Sequence, residues 1–328
     1  RTRLVEIHQA QVRGVPGEAS GRGSYMIGSG AFNFAGAASF ARLSDLAPLT
    51  GSARGQWTVA RASHDAPIRI TADAAGRQVS SRIQALSQLA GSQPNAGISG
   101  VVRSGHFSLE SGFFQGAGVN ATMTGRIADS GAITARATGA LSRPLELPGA
   151  TIRTLAFAAN VSGQMAAPRI DLDVSNGALT TAGMKVERIA GEAQATLGDR
   201  LAGDFTLSGG SEGQLLAVAG RLQGAKGSYG ISNLNARLGG VQVTAPLLSY
   251  DKGVFSAAFD ANGSLEGFAG LDRGTLAARG EVSVGDELAL DVSGQIANLR
   301  SGALRVELIS FDADAANDDA TLKGRLKG

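Results

Sequence analysis

The sequence predicts a mostly β protein: an elongated, curved, open β-groove (β-taco or solenoid-like) of many short strands, with one or two short helices in the N-terminal third. Three observations carry this. Apolar and polar residues alternate with a period of two along most of the 328 residues. There are 47 glycines, about twice the usual share, and aromatic residues are scarce at 5%. Sustained helical patterning is almost absent.

The alternating stretches are Ile68–Ile70, Leu155–Val161, Ile170–Val174, Phe205–Leu207, Phe255–Phe259, Leu288–Val292 and Leu304–Leu308. Each is bounded by Gly, Asn, Asp or Ser, as half-buried antiparallel strands are. With strands of about 5–6 residues and short turns, roughly 20 are expected. A second pattern overlies the first: a small or polar residue, then Gly, one residue, and an aliphatic. It recurs at Gly125, Gly139, Gly163, Gly220, Gly263, Gly280, Gly294 and Gly324 without a fixed period. Glycine inside a strand pattern marks a bulge, a bend or a close backbone approach, and repeated bends would curve a sheet.

Helix signals are confined to the first hundred residues. In SSRIQALSQLAGSQPN, Ile83, Leu86 and Leu89 or Ala90 share one face. Ser80 or Ser81 is the expected cap, and Gly91 with Pro94 the stop. FARLSDLAPLTG allows one or two turns around Leu43 and Leu46, with Pro48 near a helix start. Composition hardly shifts along the chain and no linker stands out. Residues 1–328 therefore read as a single elongated, repetitive β-domain and as a piece of a longer protein.

The chemistry-bearing residues are sparse. Thirty basic and 28 acidic residues leave a net charge of +2, and no run of like charge suggests nucleic acid. There is no cysteine, which excludes disulfides and thiolate metal sites. His8, His64 and His106 each stand alone, without metal-site or catalytic spacing. No nucleophile elbow, Rossmann fingerprint or phosphate loop is present. The acidic stretch with Asp312, Asp314, Asp318 and Asp319 lacks the Gly and Glu of a calcium loop and reads as a solvated hairpin. The expectation is a protein that is not an enzyme and has no cofactor or metal.

The apolar strand faces need cover. A transmembrane barrel would carry aromatic girdles, and one Trp and three Tyr cannot supply them. A closed β-helix favours a stricter repeat. An open, bent sheet that holds apolar chains on its concave face fits best. Lining residues are expected at Leu155, Phe157, Ile170, Leu172, Val174, Phe255, Phe259, Leu288, Leu290 and Val292. Periodicity shows a buried face but not what buries it, so sheet core and ligand lining both stay open for each.

The Gly-led alternating strands, with units such as GQMAAPRIDLDVSNGAL and the helix-Gly-Pro stretch ALSQLAGSQPNAGISG at 85–100, resemble the repeats of the TamB family, AsmA-like proteins of the bacterial envelope. The family's N-terminal membrane anchor and C-terminal domain have no counterpart in these residues. The resemblance implies a periplasmic protein of a Gram-negative bacterium whose parent is anchored in the inner membrane. It implies an apolar groove for phospholipid acyl chains. It also implies a TamA-like Omp85 barrel as partner in outer-membrane assembly, docking through a region not in these residues; the charge pattern gives no expectation of nucleic acid as a partner. Two alternatives are a scaffold that pairs with β-strands of outer-membrane proteins, and a secreted β-solenoid adhesin.

Overall fold

The computed structural model describes residues 3–14, 17–45, 49–81, 83–147, 150–181, 184–225, 228–251, 254–268, 270–284, 288–316 and 319–327. Side chains are described in all of these except 288, 319–324, 326 and 327. The chain forms two units, Arg1–Pro168 with Val174–Gly183, and Arg169–Asp173 with Met184–Gly328.

The first unit contains β1 (Arg3–Gly14), β2 (Gly17–Ile27), β3 (Ala31–Phe40), β4 (Thr50–Arg61) and β5 (Ile68–Ser80). Helix α1 (Gln84–Ala90) follows. Then come β6 (Asn95–Arg103), β7 (His106–Gln115), β8 (Val119–Ile127), β9 (Ala132–Leu141), the short β10 (Leu145–Leu147) and β11 (Ala150–Gln164). Strand β12 (Ala167–Thr181) has residues in both units. The second unit holds β13 (Met184–Thr196), β14 (Leu201–Ser211), β15 (Gln214–Ala225), β16 (Ser228–Leu238) and β17 (Val241–Asp251). It continues with β18 (Val254–Ser264), β19 (Arg273–Val284), β20 (Leu288–Ser301), β21 (Leu304–Ala316) and β22 (Asp319–Lys327).

Within each unit the strands form an antiparallel meander. Strands β1 to β9 each pair with the next, β9 pairs with β11, and β13 to β22 repeat the pattern. The β-rich, nearly helix-free fold is as the sequence predicts. The expected strand length is not. β11 and β12 have 15 residues each and most others 9 to 14. Glycines such as Gly139, Gly220 and Gly280 lie inside strands, and side chains of the facing strands occupy the space they leave.

Direction changes come from tight turns and bulges. Ser104-Gly105 (φ 50° and 78°) and Glu212-Gly213 (φ 47° and 83°) are two-residue hairpin loops with both central residues left-handed, which matches strand twist. Pairing slips by a residue opposite Gln78, Arg188, Asn233 and Asn298, all at positive φ. A bulge bends its strand and tightens the local twist. Asparagine tolerates this conformation and β-branched residues do not. Asn298→Val is therefore expected to cost about 1–2 kcal/mol. The loss should appear as a lowered urea midpoint and faster amide exchange in β19 and β20. Unchanged exchange there would remove the bulge's assigned role.

Helix α1 forms where expected, and Gly91 ends it at φ 69°. Its cap differs from expectation. Ser80 stays in β5 and its hydroxyl lies 2.7 Å from that of Thr50. Ser81 is not the N-cap; that position is Ile83, with no side-chain cap. Ser81 instead exchanges hydrogen bonds with the Ser87 hydroxyl, at 2.6 and 3.0 Å. The buried face also turns: Ala90 is buried while Ile83 and Leu86 are exposed. The reason is tertiary. The carbonyls of Leu89 and Ala90 accept from Gly118 and Ala117, which pins the C-terminal end of the helix to the β7–β8 turn. Near Leu43 there is a single 3-10 turn, Leu43–Asp45; Leu46 and Pro48 lie outside the described residues.

Candidate functional site

Alternation along each strand sends its apolar residues to one face, and register aligns those faces into rows. In the first unit one row runs through Phe34, Val59, Ile70, Gly100, Leu109, Gly125, Ala135 and Val161. The next contains Gly36, Trp57, Ala72, Ile98, Gly112, Met123, Ala137 and Ala159. In the second unit Leu216, Leu238, Val241, Gly263, Leu276, Ile296 and Ile309 form such a row. None of these residues is charged.

The opposite face is polar. Thr58 and Thr71 approach at 2.5 Å across strands, and Thr122 and Thr138 at 3.1 Å. Arg221 meets Asp204 at 3.1 Å, an exposed pair worth little by itself. Asp312 and Asp314 project from this face of β21, Asp314 directly across from Asp291. Asp318 lies outside the described residues, as does the Asp319 side chain. Among the described residues no group of His, Cys, Asp and Glu could hold a metal ion.

The apolar face is shaded but not sealed. Ala137, Ala257 and Ala278 on it are half-buried, while Ala140, Ala258 and Ala277 on the polar face are exposed. Side-chain size is equal in these comparisons, so the difference comes from larger neighbours and the bend of the sheet. Only eight apolar side chains among the described residues are buried, Val186 and Ala245 most deeply at 3%, and none falls below 2% exposure. The chain exposes 20384 Å². A compact monomer of this size would expose about 12,600 Å², and two separate compact halves about 15,200 Å². A dry sandwich core would leave far less.

Many strand glycines have a role beyond bending. Gly23, Gly36, Gly139, Gly220, Gly280 and Gly294 lie directly across from Phe34, Trp57, Phe157, Phe205, Phe259 and Phe311. On the polar face Gly97 does the same for Phe113. A Cβ at Gly139 would sit 2.6 Å from the Phe157 ring, and one at Gly294 2.7 Å from Phe311. The ring lies over bare backbone, the arrangement by which an aromatic rescues a glycine in a sheet. Rings placed over glycines occupy the space that a facing side chain would otherwise take.

Of the expected lining residues, the registers place Phe157, Phe259, Leu290 and Val292 on this face. Phe157 covers Gly139, with Leu155 two residues back along β11, and both are half-buried. Ile170, Leu172 and Val174 alternate along β12 and are half-buried. Their polar neighbours Arg169 and Asp171 pair at 3.1 Å. In the second unit Phe259 and Val292 flank Gly280, and Leu290 pairs with Val282. Phe255 is 47% exposed and its ring lies 4.5 Å from that of Tyr250. Leu288 pairs with Val284 by backbone register, but its side chain lies outside the described residues.

Sequence reasoning missed the apolar face before residue 155, including Phe34, Trp57, Val59 and Leu109. The alternation is there, but Gly and Ala occupy so many inward positions that its mean apolarity is low. Distinct concavities open on the polar face. One of 470 Å³ has Ser256, Glu281, Asp291 and Asp314 in its wall, and one of 510 Å³ has Arg54, Gln56 and Asp73. Both open broadly to solvent, chiefly on the polar face. No protein-family model, curated protein or solved structure matches the chain.

Proposed function

We propose that this chain is a segment of a TamB-like envelope protein whose apolar face carries phospholipid acyl chains between membranes, with the parent anchored in the inner membrane of a Gram-negative bacterium. One observation carries the reading: each unit has apolar rows free of charged residues, and few of their side chains are fully buried among the described residues. Apolar side chains left in water are costly, and each CH₂ of an acyl chain laid on them recovers about 0.8 kcal/mol. A shallow trough of similar sites suits passage better than one deep pocket, because no position holds the chain tightly. Support for outer-membrane protein assembly with a TamA-like barrel belongs to the same reading.

The protein has its own reporter. Trp57 is the single tryptophan, and it stands on the apolar face of the first unit. Phospholipid brominated along its acyl chains, added to the purified chain below its micellar concentration, is expected to quench Trp57 fluorescence. Its unbrominated analogue should not. Absence of quenching would sink the lipid reading.

A second reading rests on β1. Its described residues are all exposed, Val12 at 71% and Leu4 at 55%, and it pairs only with β2 among the described strands. An edge of this kind can accept a further strand. Crosslinks from β1 to an unfolded outer-membrane barrel protein, without lipid adducts on the apolar face, would favour strand pairing over lipid carriage.

A further inference from the structure

Among the described Lys and Arg side chains, Arg61 alone is not exposed. It ends the apolar face of β4, in line with Trp57 and Val59, and directly opposes Phe32 on β3. Its guanidinium carbon lies 5.1 Å from the Phe32 ring centre. Its Nε–H donates to the Gly30 carbonyl at 3.0 Å. The His64 ring packs over the same glycine, and Tyr25 continues the row beyond Phe32.

What Arg61 lacks is an anion. No carboxylate among the described residues pairs with it, and Asp65 in the following turn is exposed and makes no ion pair with it. The other half-buried charge among the described residues, Asp171, does have a partner in Arg169. A guanidinium that is half withdrawn from water and stacked on a ring loses hydration, and an oxyanion restores the balance. The planar fork suits a phosphate with two parallel hydrogen bonds. Its position at the strand-end margin puts the anion beside solvent, with apolar rows running away from it across the strands.

We propose that Arg61 is a headgroup site, binding the phosphodiester of a phospholipid whose acyl chains lie on the apolar face. The proposal rests on the lipid reading above and adds where the polar end is held. It also gives the first unit a preference for phosphate-bearing over neutral lipids.

The test compares brominated phosphatidylglycerol with brominated diacylglycerol, which has the same chains and no phosphate, using Trp57 quenching in the whole chain. Arg61→Gln is expected to weaken phosphatidylglycerol binding about tenfold or more, the loss of a charge-assisted pair of hydrogen bonds. Diacylglycerol binding should be unchanged, which also shows that the variant is folded. Arg61→Lys should fall between the two. Equal affinity of Arg61→Gln and the parent for both lipids would overturn the headgroup site and leave the lipid reading standing. Quenching by neither lipid in the parent chain would overturn both. Glycerophosphate that displaces phosphatidylglycerol at equal concentration would make this a soluble-phosphate site and overturn the proposal.

Discussion

Gly139→Val is expected to destabilise the first unit by about 1–3 kcal/mol, the range for forcing extra atoms into an occupied site. A Cβ at Gly139 would lie 2.6 Å from the Asn120 carbonyl oxygen and 2.6 Å from the Phe157 ring. Neither can simply swing aside: one is backbone, and the other is held along β11. Phe157→Ala should cost less than the roughly 3–5 kcal/mol of a fully buried ring, because Phe157 is half-buried. The double variant should be less destabilised than the sum, since removing the ring removes part of the clash. Strict additivity would mean the pair does not act as a unit. Gly213→Ala is the control: nothing lies within 4 Å of its Cβ, and only its φ of 83° resists the change. Amide exchange in β8, β9 and β11 is the appropriate readout. A meander with mostly neighbour-to-neighbour contacts need not unfold in one step.

Ala72→Glu should separate stability from binding. Ala72 is half-buried on the apolar face, directly across from Trp57 and Ile98. If this face were packed core, an unpaired carboxylate there would cost several kcal/mol. On an open trough its head can turn to water, and the expected cost is below about 1 kcal/mol. Quenching by brominated phospholipid should nevertheless fall at least tenfold, because the carboxylate keeps its water where an acyl chain would lie. Ala35→Glu, on the exposed face, should change neither. A large loss of stability with Ala72→Glu would make the face sheet core and remove the basis for lipid carriage.

The lining positions show how far alternation reaches. Ile170, Leu172 and Val174 were identifiable as one face because strand side chains repeat every two residues regardless of what lies nearby. Phe259 and Val292 were identifiable for the same reason, but that both flank Gly280 was not. That fact depends on the registers of β18, β19 and β20. The glycine pattern was visible as a pattern, while its reason was on the neighbouring strand. Arg61 was illegible: in sequence it is one arginine among many at the end of an alternating stretch. Its distinction lies in what surrounds it.

By itself, the sequence determined the class of this protein. A period of two, abundant glycine and the near-absence of helical patterning leave little besides an antiparallel sheet, since these are local properties of φ, ψ and side-chain direction. It also determined which residues share a face. Only the tertiary structure decided the strand lengths, the burial of Ala90 rather than Leu86 in α1, and the laying of rings over glycines. It also decided which residues of the shared face stand side by side across the strands. Those outcomes depend on register and on contacts between residues far apart in the chain, and no periodicity along one strand carries that information.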